Sequence, residues 1–465
     1  MLVVISDLHM EAESRYMLPG IPPQAPLQIS RNLSPRAYDR VFADLAYEAQ
    51  RNRAQEMHLV LAGDILEINR SPLWFRDSLR PYASSKEVGP DMEERVMDII
   101  DDIAIEPAVE PALAAIRRLV SGRYLLGSRE HPFPVPVTVH FIPGNHDRLA
   151  NATPRLRRKV RRLFGMADTA EPFHNMLLFE DERAMVRHGH EYDPYNFSIN
   201  YHDFPIIPPH LPAAAYAEPV FGDYVTCDVA VQIPLIMRQR YGDDAIVANP
   251  MLRALYRRVI GFDDLRPRTA LIPYLMYTPI PGADPDETWN VIAQLTEDML
   301  EAVHDDPFLL EWLDRMDRKW HLDMIDAIQA IFDLKAWRWA GVPRGLAERI
   351  TEQALRATMA MEPVEHIANR EHLIQTGDVL FVVAGHTHSP QMSLLRNDQK
   401  GERYYINTGT WRPRITTNAP NFTAFGELKT LTYVIMYGQN EDLGGAHPDV
   451  KIASVDAWTG FSQRW

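Results

Sequence analysis

The feature that most constrains this chain is a recurring arrangement in which a short, β-branched apolar run stops abruptly in residues able to ligate metals or move protons. Leu2–Ile5 leads into Ser6, Asp7, Leu8 and His9, and His58–Ala62 into Gly63, Asp64, Ile65, Leu66 and Glu67. Val137–Ile142 precedes Gly144, Asn145, His146 and Asp147, Met185–Arg187 precedes His188, Gly189 and His190, and Val379–Ala384 precedes Gly385, His386, Thr387 and His388. Apolar runs of this length read as buried strands. In open α/β sheets ligands bind just beyond the carboxyl ends of the strands, so tips of this kind that converge would build one site. Between the first two runs, Tyr38, Val41, Phe42, Leu45 and Ala49 recur at helical spacing within Pro35–Ala54, which makes the opening a βαβ unit. A second helical stretch is expected from Met92 towards Val120, broken by Pro107 and Pro111.

The polar clusters supply carboxylate, imidazole and amide groups together, a mix that suits Mn, Fe or Zn better than Ca or Mg, which favour oxygen-only shells. In an extended Asp-x-His or His-x-His, alternate residues point to the same side, so Asp7 with His9, and His386 with His388, are expected to reach one centre. The glycines before Asp64, Asn145 and His386 permit sharp reversal where a Cβ would restrict the chain. Any one cluster arises by chance and is commonly structural. The full set in this order is what carries weight.

That set resembles the calcineurin-like metallophosphoesterase superfamily, whose pattern is DxH, GDxx(D/E), GNH(D/E), H and GHxH. The resemblance spans Met1–Gly189 and Val379 to about Tyr437, and Asn407, Thr408, Gly409 and Thr410 resemble the turn that follows GHxH. It implies an α/β fold, a four-layer αββα sandwich. It also implies two divalent metal ions, with Mn as the first expectation: Asp7, His9 and His388 would hold one, Asn145, His188 and His386 the other, and Asp64 would bridge them. His188 is preferred to His190 because in the family the histidine before the glycine is the ligand. Two such metals about 3.5 to 4 Å apart bind a phosphoryl group and lower the pKa of a bridging water for in-line attack on phosphorus. His146 is not needed as a ligand, which leaves it to stabilise charge or protonate the leaving oxygen, with Asp147 orienting it. Glu67 reads as a hydrogen-bonded carboxylate behind the ligands rather than as a ligand.

The region 193–376 has a different texture. It begins Pro-rich (Pro205, Pro208, Pro209, Pro212) and continues as helical pattern over Val291–Val303, Pro307–Trp320 and Leu322–Trp339. The expected organisation is therefore a core of 1–192 and 377–465 carrying a large, mainly helical inserted cap. His190, Asp193 and Asn196 stand where the insert begins and are candidate substrate contacts, a structural hinge being the alternative. Trp312, Trp320, Trp337 and Trp339 with neighbouring Met and Leu suit core packing, or else an apolar lid for a hydrophobic or lipid-linked phosphoester. There is a faint similarity to the UDP-diacylglucosamine pyrophosphatases.

The chain has 465 residues, a formal net charge of -15 and one cysteine, Cys227. The acidic balance opposes a broad nucleic-acid footprint, although Arg157, Arg158, Lys159, Arg161 and Arg162 form a local basic run. A lone cysteine suits a reducing, cytoplasmic setting, no leader resembles a signal peptide, and no apolar run reaches membrane-spanning length; peripheral membrane contact stays open. The expected activity is hydrolysis of a phosphodiester or pyrophosphate. Alternatives are a phosphomonoesterase, a nuclease, or an inactive metal-binding scaffold that recruits a partner through the cap. Oligomeric state is not legible in the sequence.

Overall fold

In the first strand, β1 (Leu2–Ile5), Leu2 and Val4 face one core while Met1, Val3 and Ile5 face another, and all are buried. A strand covered on both faces must be apolar throughout, and that is why the opening run shows no polar alternation. The computed structural model describes residues 1–19, 30–82, 87–197, 207–266, 274–275, 280, 282–303, 306–309, 311, 363–417, 424–438, 441 and 454–462. The chain is a mixed α/β protein. Its further strands are β2 (Met57–Ala62), β3 (Arg123–Leu126), β4 (Arg129–Pro132), β5 (Val137–Ile142), β6 (Met176–Phe179) and β7 (Ala184–Arg187). After these come β8 (Leu265–Arg266), β9 (Phe381–Ala384), β10 (Gln391–Asp398), β11 (Gly401–Asn407), β12 (Pro413–Thr417), β13 (Phe425–Tyr437) and β14 (Ser454–Ser462).

A seven-stranded sheet runs β5-β2-β1-β13-β12-β8, with β14 also on β13, and a five-stranded sheet runs β10-β11-β9-β7-β6. Strands β5, β2 and β1 are parallel neighbours, as are β7, β9 and β11. Leu2, Val4, Val60, Ala62 and Ile142 of the first sheet pack against Ala184, Val186, Phe381, Val383 and Ile406 of the second. The opposite face of the first sheet carries four helices, α1 (Pro35–Arg51), α2 (Pro90–Ala104), α3 (Val109–Val120) and α4 (Pro154–Phe164). On the far face of the second sheet, Met185, Val382 and Tyr405 meet the short helices Val364–Ala368 and His372–Thr376. Two facing sheets with helices outside each thus place the C-terminal ends of β1, β2, β5, β7 and β9 around one site.

The expected βαβ opening is present as β1-α1-β2, with Tyr38, Val41, Phe42, Leu45 and Ala49 on the buried stripe of α1. Pro107 separates α2 from α3, but Pro111 falls in the first turn of α3, where no intrahelical amide bond is lost, and does not break it. The insert joins the core at several places. Its strand β8 pairs in parallel with β12, and Tyr216 and Leu211 pack in the same cluster as Val382 and Ala384. Trp320, Trp337 and Trp339, with Trp312, lie outside the described residues, as does Leu322–Trp339.

Candidate metal centre

Asp7, His9, Asp64, His386 and His388 have φ of 53°, 44°, 53°, 72° and 60°, and they are five of the seven non-glycine residues with positive φ among the described residues. This left-handed region is disfavoured for side chains with a Cβ and costs on the order of 1–3 kcal/mol per residue, so the surroundings must impose it. They do so through amide bonds across strand tips: Asp7 N to Gly63 O (3.0 Å), His9 N to Asp64 O (2.8 Å) and Gly385 N to His188 O (2.8 Å). The extended geometry expected for Asp7-Leu8-His9 and His386-Thr387-His388 is therefore not what brings these pairs together; each pair turns inward through two left-handed residues. Gly144 and Gly385 serve close approach, since a Cβ there would overlap the carboxylates of Asp64 and Asp7 respectively.

The side chains form two groups that share Asp64: Asp7, His9, Asp64 and His388 in one, Asp64, His188 and His386 in the other, with ligand atoms inside each group within 4.8 Å. In the second group His188 uses Nδ1–H on Ala62 O (2.9 Å), and its Nε2 faces Asp64 Oδ2 at 3.1 Å and Asn145 Oδ1 at 3.3 Å. His386 uses Nε2–H on Asp193 Oδ2 (2.9 Å), and its Nδ1 faces Asn145 Oδ1 at 3.1 Å. Such a nitrogen donates to the facing oxygens when the ring is protonated and presents its lone pair to a cation when the ring is neutral. In the first group His9 Nδ1 bonds Glu67 Oε2 (2.6 Å), and His9 Nε2 lies 2.9 Å from His388 Nε2 and 3.7 Å from Asp7 Oδ1. Burial lifts the Asp7 carboxyl above its ordinary range, only partly offset by His188; burial also acts on Asp64, but His188 and His146 outweigh it and hold Asp64 low. This donor set fits divalent cations on both sides of Asp64.

His146 is buried beside these groups, and Glu67 Oε1 holds its Nδ1 at 2.6 Å. Burial opposes protonation of His146, but Glu67 and Asp64 outweigh it and raise the pKa to about 9. Asp147 does not orient His146. Its carboxylate accepts from the amides of Ile65 (2.8 Å), Leu66 (3.2 Å) and Gly144 (2.6 Å), tying two ligand-bearing loops together. The orienting carboxylate is Glu67, which bridges His9 and His146.

The three residues at the start of the insert also fall elsewhere than expected. Asp193 bonds His386 and Asn196, and Asn196 Oδ1 accepts from Asn145 Nδ2 at 3.1 Å, so both stand behind ligands and orient them. His190 packs beside His188 with ring centroids 5.3 Å apart, and burial holds its pKa down to about 3. A neutral, buried ring with no hydrogen-bond partner on Nδ1 is packing, and it is His188 that meets Asp64 and Asn145.

Further residues complete the surroundings. Arg412 contacts Glu67 (3.1 Å), Glu11 (3.4 Å) and Asp264 (3.3 Å), while Arg70 pairs with Glu11 at 2.5 Å and Arg31 with Asp264 at 2.8 Å. Asp223 of the insert takes Arg148 (2.6 Å) and Asn69 (2.7 Å), and Asn69 also donates to Asn145 O. Arg266 of the insert donates to His388 Nδ1 at 2.7 Å. Adjacency to the NTGTW turn could have flagged Arg412; nothing in the sequence singled out Asp223, Asp264 or Arg266.

Comparison of the chain with protein-family models, with curated proteins and with solved structures finds no match. Function therefore rests on the geometry above.

The basic run on α4 is largely answered within the protein. Lys159 pairs with Asp101 and Arg162 with Asp168, Arg157 donates to Ala170 O, and Arg161 stacks over Phe173. The stretch Ala213–Tyr241 is long and apolar enough to cross a membrane by length and composition, contrary to the expectation that no such segment exists, but 67% of its apolar window is buried in the protein.

Proposed function

We propose that this chain is a dinuclear metal-dependent phosphoesterase with the αββα sandwich of the calcineurin-like metallophosphoesterases, acting on a phosphodiester or pyrophosphate. The observation that carries the reading is Asp64, a buried carboxylate common to two clusters whose remaining members come from the tips of three other strands, β1, β7 and β9. When bound, two divalent cations would neutralise phosphoryl charge and acidify water, Mn first with Fe or Zn as alternatives. Asp7, His9 and His388 would hold one cation, Asn145, His188 and His386 the other.

The chain's own groups supply the rest. Glu67 fixes the His146 ring through Nδ1, so proton delivery to a leaving oxygen falls to Nε2, and the raised pKa keeps the ring protonated at neutral pH. Asp193, Ala62 O and Glu67 fix the proton-bearing nitrogens of His386, His188 and His9 and so set which ring nitrogen faces the centre. Carboxylate pairing of Lys159 and Arg162, two of the five α4 cations, weakens the nuclease reading, because charges already matched add little to phosphate-backbone binding. The near-complete ligand set disfavours an inactive scaffold.

The test is hydrolysis of bis-p-nitrophenyl phosphate and p-nitrophenyl phosphate by protein purified with Mn²⁺, with Asp64→Ala as control. Faster cleavage of the diester, lost in the variant, is the expected result. Cleavage of the monoester alone makes the protein a phosphatase. Inertness towards both and towards pyrophosphate esters, with two metals bound, removes the enzyme reading.

A further inference from the structure

Where the segment after β1 meets the insert and strands β12 and β13, the fold encloses a cavity of about 80 Å³. That is several times the ~10–15 Å³ that one water needs. None of the residues grouped around Asp64 lines it, so it is a separate site. Tyr16, Met17, Ile260, Tyr274 and Ile415 give it an apolar wall, against which an occupant can bury carbon.

The charged part of the lining, among the described residues, is Glu11, Glu13, Arg31, Arg257, Asp264 and Glu427. All but one have a counter-charge. Arg31 pairs with Asp264 at 2.8 Å and with Glu11 at 3.3 Å, Glu11 also takes Arg70 and Arg412, and Arg257 with Lys429 partly offsets the burial that raises the Glu427 carboxyl. Glu13 is the exception. Its Oε1 accepts from the Asn32 amide and from Ser30 Oγ (3.3 Å), and no cationic side chain among the described residues pairs with it, so Oε2 is left for whatever the cavity holds. Burial and the neighbouring Glu11 carboxylate push the Glu13 carboxyl up to about 8, the behaviour of an acid enclosed without a counter-ion.

We propose that this cavity binds a small organic cation, an ammonium group on a short apolar body, with the ammonium on Glu13 and the body along Tyr16, Met17, Ile260 and Tyr274. An anion would meet four carboxylates, and a neutral molecule would leave Glu13 unmatched. An inorganic divalent ion is disfavoured as well, because Glu11, Glu13, Asp264 and Glu427 do not form a group close enough to hold a metal. A cation with carbon attached satisfies both the carboxylate and the apolar wall. The inference stands apart from the phosphoesterase reading.

The test uses the full chain with Mn²⁺ in excess, as wild type, Glu13→Gln, Met17→Trp and Asp64→Ala, titrated calorimetrically with n-butylammonium and with 1-butanol as its uncharged counterpart. Glu13→Gln keeps an acceptor for the Asn32 amide and removes only the charge; Met17→Trp fills the cavity from its rim. The expected result is saturable binding of butylammonium to wild type, weakened at least about tenfold in Glu13→Gln, the scale of one charge-assisted hydrogen bond, with the weaker binding of 1-butanol unchanged. Met17→Trp should weaken both, and Asp64→Ala should bind butylammonium as wild type does. Absence of saturable binding to wild type overturns the assignment, as does equal affinity in Glu13→Gln. Loss in Asp64→Ala with Glu13→Gln unaffected also overturns it, because the cation would then sit among the carboxylates of the metal centre. Should Glu13→Gln fail to fold, Met17→Trp decides alone, and an unchanged butylammonium affinity there overturns the site.

Discussion

The two halves of the centre are backed differently. Behind Asn145, His188 and His386 stand Asn196, Ala62 O and Asp193, oxygen acceptors that each fix the right proton or amide orientation for inward coordination. Behind His9 and His388 stand Glu67, which does the same, and Arg266, which does the opposite. The first arrangement is preorganised for a cation. The other has a donor set against His388 Nδ1, and it draws on a buried charged network of Arg412 with Glu67, Glu11 and Asp264, where the network beside His188 is Arg187 with Glu191 and Glu371. The difference teaches that, in the dinuclear site proposed here, groups that touch no metal would set the two halves apart.

The largest effect should come from removing what both halves share. Asp64→Ala should abolish bis-p-nitrophenyl phosphate hydrolysis by at least about 10⁴-fold, the scale of losing a catalytic unit rather than one contact. Metal analysis should show both ions lost; retention of two ions would mean that Asp64 does not join the halves. Next is His146→Ala, which should keep both ions and lower turnover about 1000-fold, within the range for a general acid. Loss of metal in that variant would make His146 part of the Glu67-bound half rather than a proton donor.

Arg412→Met probes the network behind the half with His9 and His388. Glu67, Glu11 and Asp264 would keep their burial and lose a shared cation, a loss of about 3–5 kcal/mol for a broken buried pair. The melting temperature of the metal-free protein should drop by about 5 °C or more. A shift under about 1 °C would show that Arg70 and Arg31 carry the network without it.

How much of this was readable beforehand follows from what is local. The five strands and their tips were legible because each is a short apolar run ending in polar residues, a signal contained within ten residues. The turning of Asp7 and His9 inward was misread as extended backbone, since left-handed φ at a residue with a Cβ is imposed by distant partners, here Gly63 O and Asp64 O. Asp147 was given the role of Glu67 for a similar reason: adjacency to His146 in sequence says nothing about whether three backbone amides claim its oxygens first. Within the insert, Asp223, Asp264 and Arg266 sit in helical or apolar surroundings that resemble ordinary surface positions, and only the fold brings them to the centre. Among the later strands, β13 lacks a continuous apolar run because Lys429 and Thr430 interrupt it, and its place is set by pairing with β1, β12 and β14.

Asp193→Asn separates the halves more finely. The amide keeps the shape but weakens the acceptor for His386 Nε2–H, and changes of this type cost about 10- to 100-fold in metal affinity. Calorimetric titration of metal-free protein should resolve two Mn²⁺ affinities in wild type, the tighter belonging to the half with His188. Asp193→Asn should weaken the tight step and leave the weak one in place. If the weak step moves instead, the assignment of the tight step to the half with His188 is reversed.

The smallest expected effect is the most specific. A Cβ at Gly222 would overlap Asn196 Oδ1, the atom that accepts from Asn145 Nδ2. Gly222 lies in the first turn of a helix, where alanine is sterically and conformationally acceptable, so the fold should tolerate Gly222→Ala and the end of the Asn196 side chain should yield. Asn145 then loses the partner that aims its oxygen at the centre, while His188 and His386 keep theirs. The tight Mn²⁺ step should weaken by about three- to fivefold, roughly one neutral hydrogen bond, with the melting temperature of the metal-free protein unchanged. An unaltered tight step would show that Asn145 is held by Asn69 and its own backbone alone, and that the insert does not contribute to the half with His188 through Asn196.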